Sequence, residues 1–361
     1  MKFESIEYME WAKLESKAGI NLSRSGVAGL ELKDLDMDLT GLEINGDHSY
    51  GYPPLLEAIA ARYGAQEDQV VPAVGTSLAV FIACAAVLEK GDGVAIEKPA
   101  YEPLRSVPRA IGAEITRFER PYEVGYKVDR DRFGSALAAN PKLVILTNLH
   151  NPSGAYLARP QIQALAFEAQ RKGAFVFVDE VYLEYMAGSE AGSSFGLAEN
   201  IIVASSLTKV FGLAGFRCGW LLAPAPLARK MRRVMDHLTV EHVYIAEQLA
   251  ARAFPLLDAI KERNRPLFEN NRRTVRNFIR ETDELEWQEP AGGVIGFPRV
   301  KGPFDGDALA RILREQYDTS VVPGRFFEDS RHFRLGFGVP PQTLAQGLEN
   351  IKKALGSNLH F

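Results

Sequence analysis

The residues of this chain best suited to covalent chemistry lie between positions 205 and 217. Lys209 stands there beside the hydroxyl residues Ser206 and Thr208. Arg217 follows the lysine within the same stretch. A lysine amine that is buried or paired with a carbonyl group is nucleophilic near neutral pH, whereas a solvated ammonium is protonated and inert. The pattern predicts either a lysine that forms a Schiff base or a solvated loop lysine, and the residues found elsewhere in the chain favour the first.

The element that positions Lys209 is a short apolar run at residues 201–204, typical of a buried strand that ends in the loop of the lysine. From residue 70 onward such runs alternate with helical stretches, and this alternation predicts a mainly parallel sheet with helices on both faces. The other runs lie at 70–74, 94–97, 114–118, 143–147, 175–178 and 219–222. Because the carboxyl ends of parallel strands share one edge, we expect the polar residues that follow these runs to meet in a ligand site.

The remaining periodicity predicts the helices and a second, smaller lobe. Helical patterns lie at 3–18, 53–63 and 78–88, and a long helix or a kinked pair is expected between 226 and 281. Strand-like pieces interleaved with helices follow at 292–297, 320–324 and 333–337. We therefore expect three parts of the chain, which are an amino-terminal segment 1–45 that joins the small domain, a large domain 46–285 with an interdomain helix, and a small α+β domain 286–361.

Composition narrows the class of protein. The chain has 361 residues, of which 46% are hydrophobic and 24% charged, as in an ordinary soluble enzyme. A formal net charge of −4 and the lack of a dense basic run argue against a nucleic-acid partner. The first residues do not form a secretory signal, no apolar run is long enough to span a bilayer, and the two cysteines, Cys84 and Cys218, lack metal-type spacing. We expect a cytoplasmic protein without a membrane or metal partner.

Several motifs at the predicted strand ends resemble those of the pyridoxal-phosphate-dependent aminotransferases of the aspartate aminotransferase type, the class I/II family of fold type I. The resemblance is carried by Lys209 with Arg217, by Asp179 with Tyr182, by the turn 151–154 and by the glycine-hydroxyl motif 75–77. It covers nearly the whole chain. It implies a fold type I large domain with a seven-stranded-type sheet, pyridoxal 5′-phosphate as cofactor, and a homodimer that acts on an amino acid and a 2-oxo acid.

The resemblance assigns roles around the cofactor ring. It implies that Lys209 forms the Schiff base and then moves a proton between the substrate's α carbon and C4′ of the cofactor. Asp179 pairs with the pyridinium nitrogen and keeps the ring electron-accepting. Tyr182 and Asn151 bond the phenolic oxygen, and Tyr101 stacks on the ring. The alternatives are a helix cap for Asp179, an ordinary turn at Asn151 and a half-buried interface position for Tyr101.

The cofactor's phosphate is assigned to two stretches of the chain. Amides at a helix amino terminus attract an anion, and a guanidinium makes paired, charge-assisted bonds to it. The implied phosphate ligands are Gly75, Thr76, Ser77, Ser206, Thr208 and Arg217. The alternative for the first two is an ordinary helix cap.

The substrate is assigned to a separate set of residues. The resemblance implies that Arg334 holds the substrate's α-carboxylate, that Asn151 contributes to the same subsite, and that Gly26 brings backbone close to the substrate. A structural salt bridge is the alternative for Arg334, because a charge in an apolar strand needs an anionic partner. We find no second arginine for a distal carboxylate, so specificity for dicarboxylates is not supported. No catalytic role is given to His48 or His150.

One loop departs from the family pattern. Many relatives carry a tyrosine five residues before the glycine that matches Gly51, and it reaches the partner subunit's phosphate site. Here that position is Gly46, and Tyr50 is the candidate substitute. The stretch 45–50 is therefore expected to contact the other subunit of a dimer.

The sequence favours an aminotransferase that works by a ping-pong route through pyridoxamine phosphate. The main alternative is a non-transaminating enzyme of the same fold, such as a C–S lyase, a decarboxylase or a cyclising enzyme, because the pocket selects which bond the cofactor breaks. A ligand-sensing domain of a transcription regulator is disfavoured, since the chain shows neither a DNA-binding head nor a basic patch.

Overall fold

The structure is a computed structural model that describes residues 2–186, 191–302 and 305–357. Its strands are β1 Ile20–Asn21, β2 Val70–Val74, β3 Gly93–Lys98, β4 Glu114–Glu119, β5 Leu143–Thr147, β6 Phe175–Asp179, β7 Ile201–Ser206, β8 Cys218–Leu222, β9 Leu285–Glu286, β10 Ile295–Gly296, β11 Arg299–Val300, β12 Thr319–Ser320, β13 Val322–Pro323 and β14 Phe333–Gly336. Its α-helices are α1 Glu7–Leu14, α2 Pro53–Tyr63, α3 Thr76–Val87, α4 Pro103–Ile111, α5 Arg130–Ala138, α6 Arg159–Gln170, α7 Ala225–Asp236, α8 Tyr244–Ala253, α9 Leu257–Arg280, α10 Gly306–Tyr317 and α11 Pro341–Ser357.

A seven-stranded sheet in the order β2-β8-β7-β6-β5-β3-β4 forms the centre of the large part of the chain. The pairs from β4 through β7 are parallel, whereas β8 runs antiparallel to both β7 and β2. Apolar clusters cover both faces of this sheet. This is why the central strands are apolar throughout rather than alternating, and the predicted mainly parallel α/β sheet is confirmed.

Helix boundaries follow local chemistry, and two of them differ from the sequence prediction. Helix α1 begins at Glu7 rather than at residue 3, because the carboxylate of Glu102 accepts hydrogen bonds from the backbone N–H groups of Glu7 and Tyr8 and so fixes its start. Helix α3 begins at Thr76 rather than at residue 78, directly after Gly75 at the end of β2.

The prediction of one long helix or a kinked pair between 226 and 281 is wrong. The described chain forms three α-helices there, α7, α8 and α9. The segment between α7 and α8 contains Val240 with a φ of 58°, a left-handed conformation that a β-branched residue cannot keep inside a helix. A short 3₁₀ turn, Phe254–Leu256, with a proline in it separates α8 from α9.

Smaller sheets bring the two ends of the chain together. The amino-terminal strand β1 pairs in parallel with β12, and β10, β14 and β13 form an antiparallel sheet beside it. Leu22 lies in the same core as Phe333, Leu335 and Phe337 of the carboxy-terminal part. The segment that follows β1 is thereby carried to the edge of the large sheet.

A buried ion pair joins β3 of the large sheet to the residue that follows β4. The side chains of Glu97 and Arg120 are fully buried, with Nη1 of the arginine 2.7 Å from Oε2 of the glutamate. The other carboxylate oxygen accepts hydrogen bonds from the backbone N–H and the hydroxyl of Thr147. Asn151 donates its backbone N–H to that same hydroxyl, so the pair supports the turn that carries Asn151.

We expect Arg120→Met to lower the free energy of unfolding by about 3–5 kcal/mol, because it leaves the Glu97 carboxylate buried without its charge partner. Urea denaturation followed by circular dichroism measures the change. Arg276→Met removes the partly exposed partner of Glu289 and should cost far less. Equal losses in the two variants would show that the buried pair carries no special penalty.

Candidate active site

A cavity of about 250 Å³ lies at the carboxyl ends of β5, β6 and β7, beside the amino terminus of α3. The strand-end prediction is confirmed in this sense, because side chains far apart in sequence line one space. The predicted site residues that line it are Thr76, Ser77, Tyr101, Asn151, Asp179, Tyr182, Ser206, Thr208, Lys209, Arg217 and Arg334. Of the remaining two, Gly75 immediately precedes α3, and Gly26 packs against the backbone of Lys209.

Lys209 lies in the loop after β7, and its side chain is half-buried. Burial and, to a smaller extent, the positive charge of Arg334 lower the pKa of its amine to about 8, although the charge of Asp179 opposes the fall. A larger fraction of this amine than of an ordinary lysine is therefore unprotonated near neutral pH. That is the state in which a lysine acts as a nucleophile or a base, and it argues against an ordinary solvated lysine.

Asp179 ends β6 and is only 7% exposed. Burial raises the pKa of its carboxyl group to about 7, although the hydrogen bond from the backbone N–H of Val181 opposes the rise. Within the described part of the chain, no lysine or arginine lies at ion-pair distance from this carboxylate. A protonated ring nitrogen would supply the missing positive charge, so the site fits a pyridinium group.

The amino terminus of α3 and Arg217 together form a cup for an anion. Gly75 has a φ of 79°, which strains other residues, and a Cβ atom there would lie 2.6 Å from Nη2 of Arg217 and would push the guanidinium aside. The guanidinium donates to the carbonyl oxygens of Val74 and Ala214, and among the described residues it has no carboxylate partner. The buried hydroxyl of Thr76 lacks a hydrogen-bond partner in the same region. Unused donors and a free positive charge fit a phosphate group.

Arg334 enters the cavity from the opposite side, on β14, and is 1% exposed. Its guanidinium donates to Asn151 Oδ1 at 3.1 Å, to the phenolic oxygen of Tyr8 at 2.9 Å and to the backbone oxygen of Ser23 at 3.1 Å. All three acceptors are neutral, and no salt bridge to Arg334 occurs in the described ranges. The structural salt-bridge alternative therefore lacks its partner, and a carboxylate ligand would provide the anion that a buried guanidinium requires.

Tyr101 and the turn at Asn151 occupy the cavity wall. The ring of Tyr101 meets that of Tyr8 edge to face, with centroids 5.3 Å apart, and its hydroxyl lies 3.4 Å from the sulfur of Met9. His150 is fully buried with its ring nitrogens against the hydroxyl of Ser153 and a backbone oxygen, which holds the turn that presents Asn151.

Sequence reasoning missed six residues of the cavity wall, and two of them, Tyr8 and Ser25, hydrogen-bond to predicted site residues. Tyr8 reaches the site because α1 docks on Glu102, and nothing in the spacing of the first helix marks this residue. Ser25 accepts a hydrogen bond from Nζ of Lys209 at 3.1 Å. Its only sequence signal is its place directly before Gly26, where a Cβ atom would lie 3.1 Å from the backbone oxygen of Lys209.

The loop that departs from the family pattern lies away from this cavity. A Cβ atom on Gly46 would lie within 2.4 Å of ring atoms of Tyr244, so the tyrosine ring occupies the space that a side chain at position 46 would need. Tyr50 is 45% exposed, with its hydroxyl 3.4 Å from a carboxylate oxygen of Asp236. Its contact with a second subunit remains a prediction.

The described ranges contain neither a membrane-spanning helix nor a cluster of metal ligands. No helix there has the length and apolar character needed to cross a membrane. Nor do those ranges contain a group of three or more histidine, cysteine, aspartate or glutamate residues placed to hold a metal ion.

Comparison with known proteins agrees with this geometry. The chain is 28% identical to an aspartate aminotransferase of Streptomyces avermitilis, over 84% of this chain and 80% of that protein. It is 30% identical to capreomycidine synthase of Streptomyces vinaceus, over 95% of this chain and 91% of that protein. The crystal structure of a PLP-dependent aminotransferase from Streptococcus suis shares the fold, with a TM-score of 0.89, 23% identity and 99% of both chains covered.

The model of the family described as aminotransferase class I and II matches residues 41–351. Together with a fold type I sheet and a cavity that fits a pyridinium and a phosphate, this match shows that the chain belongs to the class I and II aminotransferases, enzymes that depend on pyridoxal 5′-phosphate.

Proposed function

We propose that this enzyme transfers an amino group from an L-amino acid to a 2-oxo acid by a ping-pong route through pyridoxamine phosphate. The observation that carries the proposal is the position of Lys209 in one cavity with Asp179 and Arg334. A base of lowered pKa, a carboxylate for the ring nitrogen and a guanidinium for the substrate are the three groups that such a reaction requires.

In this proposal the cofactor is held at both of its ends. Asp179 binds the ring nitrogen, Tyr182 and Asn151 bond the phenolic oxygen, and Tyr101 stacks on the ring. The phosphate is held by Gly75, Thr76, Ser77, Ser206, Thr208 and Arg217. When bound, the cofactor supplies the electron sink for the bonds of the substrate's α carbon.

The chain's own residues then position and move the proton. Arg334 holds the α-carboxylate, while Tyr8 and Asn151 fix its guanidinium through the hydrogen bonds described above. With the cofactor bound, Lys209 would take the proton from the α carbon and would return it at C4′. Gly26 leaves room for this exchange because its backbone packs directly on the lysine loop.

The cavity wall predicts which amino acids react. Met9, Val80 and Pro103 contribute apolar surface, and the charged residues of the wall are assigned to cofactor or α-carboxylate. We expect L-amino acids with uncharged side chains to react at least about 100-fold faster than aspartate, because an unpaired distal carboxylate pays a desolvation penalty of several kcal/mol. Single-turnover loss of the visible absorption band of the lysine-bound cofactor measures each rate, and a fastest rate with aspartate would refute this prediction.

A second candidate is a non-transaminating reaction, in particular a cyclisation. It is favoured by the similarity to capreomycidine synthase, which extends over 95% of this chain. The cavity supports removal of the α proton in both cases, so the products decide. Formation of pyridoxamine phosphate and a 2-oxo acid supports transamination, whereas release of ammonia and pyruvate, or of a cyclised product, overturns it.

We also propose a homodimer and a division into the three parts 1–45, 46–285 and 286–361. The dimer is supported by apolar side chains that stay exposed in the single chain close to the 45–50 loop, among them Ile44, Val240 and Val243. The division is supported by the pairing of β1 with β12, which attaches the first segment to the carboxy-terminal part. Analytical ultracentrifugation tests the dimer, and a monomer at micromolar concentration would contradict it.

A further inference from the structure

The side chain of Ser25 touches the amine on which the proposed function depends. Its hydroxyl oxygen accepts a hydrogen bond from Nζ of Lys209 at 3.1 Å, and the serine is 8% exposed. None of the sequence motifs assigns a role to this serine. A hydrogen bond between a buried hydroxyl and a half-buried amine constrains where that amine points.

The loop that carries Ser25 is fixed to the lysine loop by its backbone. The N–H of Val27 donates to the backbone oxygen of Lys209 at 3.1 Å, and Gly26 packs against the Cα of the same lysine. Three residues before Ser25, the backbone of Leu22 is hydrogen-bonded to that of Ser320 and Gly336 in the carboxy-terminal sheets. The backbone on both sides thus fixes where the Ser25 loop lies relative to the backbone of Lys209.

Tyr182 is the third member of this group. Burial raises the pKa of Tyr182 to about 12, while the positive charge of Arg334 and a hydrogen bond from Ser25 oppose the rise. A serine hydroxyl has one proton to donate and can accept in addition. If the Ser25 proton is given to the phenolic oxygen, the serine oxygen can only accept from Lys209, which favours the protonated amine.

We infer that Ser25 is a positioning residue for the reaction, holding Nζ of Lys209 at the place where the amine receives and returns the substrate's α proton. The inference rests on the proposed function, in which Lys209 is that base. In this step the α C–H bond would break and its proton would form a new N–H bond on Lys209, while the cofactor, when bound, would supply the sink for the electron pair. Ser25 then accepts a hydrogen bond from the resulting ammonium. The charges of Asp179, Arg334 and Arg217 also influence the pKa of this amine.

The first test uses the cofactor-free protein, so that it does not depend on turnover. The pH dependence of Lys209 modification by an amine-reactive reagent, quantified by peptide mass spectrometry, reports the pKa of this amine. We expect Ser25→Ala to lower that pKa by about one unit, because an acceptor for the ammonium is lost. Ser25→Thr keeps the hydroxyl and should restore the wild-type value. Ser16→Ala deletes an equally buried hydroxyl, bonded only to the backbone of α1, and should leave the value unchanged.

The second test uses the loaded enzyme and the best amino acid from the substrate survey. In Ser25→Ala we expect kcat to fall about 10-fold or more with little change in KM, and the isotope effect of α-deuterated substrate to rise, because proton transfer becomes slower. An unchanged amine pKa together with an unchanged isotope effect overturns the inference, as would equal losses in Ser16→Ala. If Lys209→Ala retains full turnover, the proposed function fails instead, so the two failures are distinguishable.

Discussion

Replacing Lys209 with alanine should abolish turnover while leaving cofactor binding partly intact. The substitution removes both the covalent attachment and the base, and general acid–base catalysis alone contributes about 10²–10⁴-fold. The side chain of Lys209 is not part of the anion cup at Gly75, Thr76 and Arg217, so the cofactor should still bind without a covalent link. Steady-state turnover and the mass of the borohydride-reduced protein measure the two effects.

A distant lysine provides the control for this experiment. Lys230 is exposed on α7, and Lys230→Ala should retain both turnover and the mass increase after reduction. A Lys209→Ala protein that still gained the mass of the cofactor after reduction, or kept wild-type turnover, would place the reactive amine elsewhere.

The parts of the site that could be predicted from sequence are those that depend on local sequence patterns. A buried strand has a recognisable run of apolar residues. In a parallel sheet, the residue after each strand lies at the same edge of the sheet. This is why Asp179 at the end of β6 and Lys209 after β7 could be assigned to one site with no knowledge of their distance. The same argument extends to the start of α3, although the predicted boundary was two residues late.

The parts that could not be predicted depend on contacts between distant segments. Tyr8 reaches Arg334 because a carboxylate 94 residues further along the chain fixes the first turn of α1. Ser25 meets Lys209 because β1 pairs with β12 and thereby carries the loop across the sheet edge. The three separate helices between 225 and 280 were missed for a related reason, since helical periodicity continues across a short break.

Asp179→Asn should give the second large effect, a loss of about 10²–10⁴-fold in kcat with the cavity otherwise intact. Asparagine keeps the shape of the side chain and can still accept the N–H of Val181, but it cannot provide the negative charge. Loss of one partner of a buried charge pair costs about 3–5 kcal/mol, and each 1.36 kcal/mol corresponds to a factor of ten. Activity near that of the wild type would remove Asp179 from its proposed place at the ring nitrogen.

The same substitution should stabilise the cofactor-free protein, and the pH dependence of this effect has a definite sign. The pKa of Asp179 is about 7 in the folded chain and 3.8 as a free side chain. As pH rises from about 4 to 7, the unfolded chain ionises this group and the folded chain does not, so the wild type loses stability across that window. Asp179→Asn avoids the loss, and above pH 7 it should be more stable by about 4 kcal/mol, since each pH unit contributes about 1.36 kcal/mol.

Urea denaturation of both cofactor-free proteins between pH 4 and 8 tests this expectation, with Asp36→Asn at an exposed position as the control for the substitution itself. A difference in stability that stays flat across the window would show that burial does not raise the pKa of Asp179. The expected result would mean that the negative charge of Asp179 destabilises the cofactor-free protein. A positively charged ring nitrogen would compensate this destabilisation. Asp179 should therefore destabilise the cofactor-free protein but stabilise the protein with its cofactor bound.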